Sequence, residues 1–130
     1  MKILYLLFLL FAQEVVQAQI KIGFTESEIR TQLHHRNLQE GVNNEGIRFI
    51  FWENSDVIYG YYFSPEGFCN FTSIISISKE VFNSLYKLFN QGVLLKKNEW
   101  IWSNKDGVYW IRLSLEGKYP VFKVSPGNGK

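Results

Sequence analysis

Shifted along itself by 50 residues, this sequence repeats. Trp52 falls on Trp102, Asn54 on Asn104, Asp56 on Asp106 and Tyr59 on Tyr109. Ser64, Glu66 and Gly67 fall on Ser114, Glu116 and Gly117, which makes seven identities in the 18 positions 50–67. Ile58/Val108 and Phe63/Leu113 are conservative matches. The identities cluster at turns and strand ends, where backbone geometry restricts the choice of residue. Two hairpins can share turn chemistry for that reason alone, but the density of matches points to an internal duplication. Any fold for the chain must then be assembled from two similar halves, about 22–77 and 78–124.

Local signals divide each half in the same way. Thr25 followed three residues later by Glu28 is a capping box, and Phe24 and Ile29 stand at hydrophobic-staple positions. They predict a helix running to about Arg36. Gly41 to Gly46 reads as a loop, Ile47 to Trp52 as a strand and Glu53 to Asp56 as a turn. Val57 to Phe63 is a second strand; Ser64-Pro65-Glu66-Gly67 has Pro and Gly at type I turn positions, and Phe68 to Ile77 is a third strand. Ser78 caps a second helix, about 79–91, with an apolar stripe of Val81, Phe82, Leu85, Tyr86 and Phe89, and Gly92 ends it. Leu94 to Trp102, Val108 to Leu115 and Val121 to Val124 complete the strands, with an Asp-Gly hairpin signal at 106–107. The expected fold is α+β: an antiparallel sheet of about six strands, two helices on one face, in the order αβββ-αβββ. Residues 19–124 would form a single domain and 125–130 a mobile tail.

Composition narrows the class. At 130 residues, 46% hydrophobic and 20% charged, the chain is globular rather than disordered or fibrous. The 17% aromatic content favours strands. Met1-Lys2 precedes an uncharged apolar run of ten, Ile3 to Ala12, and Val16-Gln17-Ala18 fits signal peptidase. Ten residues are too few to span a bilayer, which takes about 20. Residues 1–18 are therefore expected to be a signal peptide cleaved after Ala18, and the protein to be exported to the periplasm or the extracellular space, with no membrane span. The net charge of +2 is scattered, with no basic run of the kind that binds nucleic acid. A single cysteine, Cys69, can form no internal disulfide.

The order of elements resembles tandem αβββ-type folds, such as the β-lactamase-inhibitor-protein-like group and the small outer-membrane assembly lipoproteins. Ile22-Gly23-Phe24-Thr25-Glu26-Ser27-Glu28-Ile29 is similar to the glycine-hydrophobic-threonine start of the first helix in that group. Tyr61-Tyr62-Phe63, Glu66-Gly67 and Cys69 are similar to a pattern in small exported proteins of Bacteroidetes-type bacteria. The resemblance covers about 50 residues and implies helices laid over one face of an antiparallel sheet. The assembly lipoproteins carry a lipid-bearing cysteine that this chain lacks, so their role does not carry over.

Side chains alternate along a strand, and position number sorts them here. Odd positions give Ile47, Phe49, Phe51, Val57, Tyr59, Tyr61, Phe63, Cys69, Phe71, Ile75, Ile101, Tyr109, Ile111, Leu113 and Leu115, an expected core face. Even positions give all four tryptophans together with Tyr62 and two arginines. Two short helices can cover one face only, so Arg48, Trp52, Tyr62, Trp100, Trp102, Trp110 and Arg112 form an expected open binding face, rich in hot-spot residue types. Cross-strand packing or strand bulges would account for the same tryptophans without binding. The favoured function is a small non-enzymatic module that binds a protein partner. The alternative is a glycan-binding domain with Trp100, Trp102 and Trp110 as stacking platforms; a homodimer through the same face is a further option. Chemistry is sparse. Cys69 sits among aromatics, as an inert buried thiol would. His34 and His35 are adjacent rather than four apart, so they do not make a helical metal pair, and Asp56 and Asp106 lie at turns. No catalytic residue, metal or cofactor is expected. Asn70-Phe71-Thr72 is a glycosylation sequon whose use depends on the source.

Overall fold

The computed structural model describes residues 19–127. The signal-peptide expectation for 1–18 and the last three residues of the expected tail lie outside them. The chain folds as α1 (Glu26–Gln32), β1 (Gln39–Val42), β2 (Arg48–Glu53), β3 (Val57–Phe63), β4 (Cys69–Ser76), α2 (Lys79–Phe89), β5 (Val93–Lys96), β6 (Glu99–Asn104), β7 (Gly107–Ser114) and β8 (Val121–Pro126). All eight strands join one antiparallel sheet in the order β1-β2-β3-β4-β8-β7-β6-β5.

The expectation of about six strands is thereby corrected to eight, and αβββ-αβββ to αββββ-αββββ. Both additional strands lie at the sheet edges. The segment expected to be one strand, Leu94 to Trp102, is a hairpin of β5 and β6, turned at Asn98 with φ of 65°. β1 occupies residues to which no element was assigned and runs into the expected loop. Its sequence, Gln-Glu-Gly-Val, has no apolar alternation, because an edge strand is held by ladder hydrogen bonds rather than by a buried face. β8 runs on to Pro126, so the expected tail begins inside a strand.

The two halves repeat one layout. The Asn54 side-chain oxygen accepts hydrogen bonds from the backbone N–H groups of Asp56 and Val57 at 2.8 and 3.0 Å. Asn104 does the same for Asp106 and Gly107 at 2.8 and 3.1 Å. Trp52 lies on Tyr59 with ring centroids 5.0 Å apart, and Trp102 on Tyr109 at 6.2 Å. The halves meet where β4 pairs β8 in the middle of the sheet.

Both helices cover the same face. On α1, Ile29 is fully buried, and in the turn that follows the helix Arg36 lies 4.0 Å over the Trp52 ring. On α2, Phe89 meets Trp102 and Phe122, Phe82 meets Phe122, and Tyr86 meets Trp100. Thr25 forms the capping box with Glu28, and Ser78 caps α2 by accepting from the Val81 N–H. The core between helices and sheet includes Ile50, Tyr61, Ile74, Trp100, Ile111, Phe122 and Val124, all without solvent exposure.

The division by odd and even position is overturned. β2, β6 and β8 bury even positions, whereas β3 and β7 bury odd ones. The cause is register. Phe49 pairs with Tyr62 and Trp100 with Ile111, so an even residue in one strand shares its face with an odd residue in the next. β4 buries Cys69 but also Thr72, Ile74 and Ser76, because a bulge shifts its register against β3 between Tyr62 and Phe63.

Candidate functional site: the open sheet face

The predicted site residues therefore separate. Trp52, Trp100 and Trp102 are core residues, exposed by 3%, 0% and 3%. The Trp100 indole donates to Asn90 at the end of α2 (3.1 Å), and the Trp52 indole donates to the Tyr61 hydroxyl, which donates to Gln19 at 2.7 Å. Arg48 stands on the helix side, where it pairs with Glu26 of α1 and with Glu40 of β1 at 3.1 Å. These contacts hold the Glu26 carboxyl below its usual range, the Arg48 hydrogen bond contributing most.

Tyr62, Trp110 and Arg112 do lie on the face opposite the helices. The sequence reading missed their companions Phe49, Phe51, Phe71 and Lys123. All seven are half-buried, and no helix among the described residues covers them. Their order across the sheet follows from register. Gly41 of β1 faces Phe49, Phe49 faces Tyr62, and Tyr62 faces Phe71. A Cβ on Gly41 would stand 2.7 Å from the Phe49 ring, so only glycine lets that ring lie over the edge strand. Phe49 and Tyr62 stack at 4.9 Å, and Tyr62 and Phe71 at 4.4 Å with an interplanar angle of 11°.

The far side of this row is cationic. The Lys123 ammonium lies 4.0 Å over the Phe71 ring, and the Arg112 guanidinium 4.3 Å over Trp110. Burial, and then the neighbouring Arg112 charge, lower the Lys123 pKa, while Glu45 pulls it the other way. The Trp110 indole donates to Glu99 at 3.1 Å.

Other candidates offer less. Cys69 is 2% exposed, and burial pushes its thiol up to about 11. Its nearest polar neighbours are the Phe71 carbonyl at 3.6 Å and the Thr72 hydroxyl at 3.9 Å, so nothing there would generate a thiolate. His34 and His35 meet edge to face at 5.8 Å, and no cluster of three or more metal-ligating side chains occurs among the described residues. A shallow depression on α1 brings Glu26, Ser27 and His34 together, but the glutamate is held by the two arginines, Arg30 and Arg48, and the His34 ring faces the Thr31 carbonyl. No described helix is long and apolar enough to cross a membrane. No family model matches the chain, and neither does any curated protein or solved structure. The likeness to tandem αβββ proteins rests on the quoted residues alone.

Proposed function

We propose that this protein is a small exported, non-enzymatic binding module that engages a protein partner, in the cell envelope or outside the cell, through the open sheet face. The observation that carries the proposal is the row Phe49-Tyr62-Phe71 ending in Lys123 and Arg112, on a face that no described helix covers. Aromatic residues and arginine are the types that dominate binding energy at interfaces. The buried thiol of Cys69 supports a non-catalytic role. The glycan alternative loses ground, because two of its three proposed platforms, Trp100 and Trp102, are core residues.

A photo-crosslinking amino acid at Tyr62, compared with one at the exposed Asn83 of α2, tests the proposal in the native host. A discrete product from position 62 and none from position 83 is expected. Products from position 83 alone would move the contact to the helical side and sink the proposal. A product of twice the chain mass would identify a second copy as the partner. Export has its own check: mass spectrometry of the host protein should find Gln19 first, as glutamine or pyroglutamate. An intact Met1 would refute it.

A further inference from the structure

We infer that the partner is acidic: the open face recognises a protein segment that presents carboxylates to Lys123 and Arg112. This rests on the open face being the binding surface, and three observations extend that reading to the chemistry of the partner.

First, Lys123 of β8 and Arg112 of β7 are direct cross-strand partners. Like charges placed opposite one another repel, and an intervening anion would relieve the repulsion. Second, the pair is not neutralised from within. The carboxylate facing Arg112 across the next ladder is Glu99, but its two oxygens are engaged by the Trp110 indole and by Lys96 at 3.2 Å. Glu45 acts on Lys123 without reaching salt-bridge distance, and neither cation belongs to an ion pair among the described residues. The Arg112 Nε is shielded and lacks a hydrogen-bond acceptor. That atom is out of a ligand's reach, but the terminal N–H groups of the same half-buried guanidinium are not shielded in this way and are the donors a ligand carboxylate would engage.

Third, the aromatic rings stand on edge. Both faces of Tyr62 are covered, by Phe49 and Phe71, and the Phe71 ring lies between Tyr62 and Lys123. A sugar stacks on an exposed ring face, and the central rings offer none. What they present outward is the ring edge, the positive part of the aromatic quadrupole. Edges and cations together make an electropositive strip with apolar shoulders. It suits a peptide that alternates carboxylates with apolar side chains better than it suits a glycan.

The test follows the Arg112 Nε–H and the Phe71 and Trp110 ring protons by NMR during titration with poly-L-glutamate, with hyaluronate as the anionic polysaccharide. Shifts concentrated at these groups are expected, and R112Q and K123Q should each weaken the interaction by about tenfold. Absent shifts, or shifts spread evenly over Lys79, Lys97 and Lys105, would overturn the inference. Tighter binding of hyaluronate at the same groups would overturn it in favour of an acidic glycan. The crosslink from position 62 separates the two levels. A product that forms equally well in R112Q and K123Q sinks the acidic partner and leaves the binding face standing. Absence of any product from otherwise wild-type protein sinks the face itself.

Discussion

Four tryptophans that share even positions in the sequence have different surroundings. Trp100 and Trp102 fill the space beneath α2, against Tyr86 and Phe89, whereas Trp110 lies on the opposite face under Arg112. Truncating a buried tryptophan leaves a cavity, so Trp100→Ala or Trp102→Ala should cost about 3–5 kcal/mol. Trp110→Ala removes a half-exposed ring and should cost about 1 kcal/mol or less, the scale of a cross-strand pair. Urea midpoints of the three variants decide this, and equal losses would mean that the open face is covered. A second residue-scale expectation concerns alkali. Burial raises the Cys69 pKa from an ordinary 9.0 to about 11, and raises Tyr59 and Tyr61 above their ordinary 10.0. The unfolded chain therefore ionises first, and the stability these groups contribute, complete below about pH 9, is lost as pH rises from there. The urea midpoint should fall between pH 8.5 and about pH 10.5, and the native thiol should resist labelling at pH 8. A flat profile together with rapid labelling would show that Cys69 is accessible.

At the scale of elements, what could be read from sequence depended on whether a signal was local. The capping box needs only Thr25 and Glu28, and both of its hydrogen bonds are present at 3.2 and 3.0 Å. Thr25→Ala should cost about 1 kcal/mol, measured as a shift in denaturant midpoint; no shift would mean that the cap contributes nothing. Face assignment is not local. Ser55-Asp56 and Lys105-Asp106 are two-residue hairpin loops, since Asn54 bonds to Val57 and Asn104 pairs with Gly107. Such a loop pairs residue i with i+3, an odd position with an even one. Reading both turns as two-residue loops would have put Phe49 beside Tyr62 and Trp100 beside Ile111. Joining odd to odd instead gathered all the tryptophans on one supposed face. The bulge at Tyr62/Phe63, which changes register again inside β4, has no comparable signal in the sequence. Edge strands were missed because their side chains are not buried: Val93 and Leu94 of β5 are 65% and 58% exposed. An exposed apolar edge invites pairing with another chain. Leu94→Lys should change stability by less than about 0.5 kcal/mol while lowering self-association in sedimentation at high concentration. A large stability loss would show that Leu94 contributes to the core.

At the scale of the molecule, the arrangement is what two copies of one αββββ unit would give when joined through their last strands. Trp52 and Trp102, Asn54 and Asn104, and Tyr59 and Tyr109 occupy matching places 50 residues apart. The halves are nevertheless not separable in energetic terms. β4 and β8, the last strand of each half, are central in the sheet, with Ile74 paired to Phe122 and Thr72 to Val124. All four of these residues are fully buried. Cutting between residues 77 and 78 would expose the inner edges of β4 and β8 and open one core along its middle. Each fragment would be a domain of roughly 50–60 residues without disulfides, at the size where burial barely offsets chain entropy. Fragments 19–77 and 78–127, prepared separately, should show no cooperative thermal transition. The second fragment alone should show red-shifted fluorescence, because without a stable core α2 no longer holds Tyr86 and Phe89 over Trp100 and Trp102. Mixing the two in equal amounts should restore strand circular dichroism, blue-shift the tryptophans and produce a single melting transition whose midpoint rises with concentration, as mass action requires of a two-chain fold. The central ladder predicts one further behaviour. Lys123→Pro removes a backbone donor opposite Ser73 in the middle of the sheet. That substitution should abolish the complementation, while Lys123→Gln, which keeps the backbone intact, should preserve it. Independent melting of either fragment would contradict the shared core and make the molecule two small domains side by side.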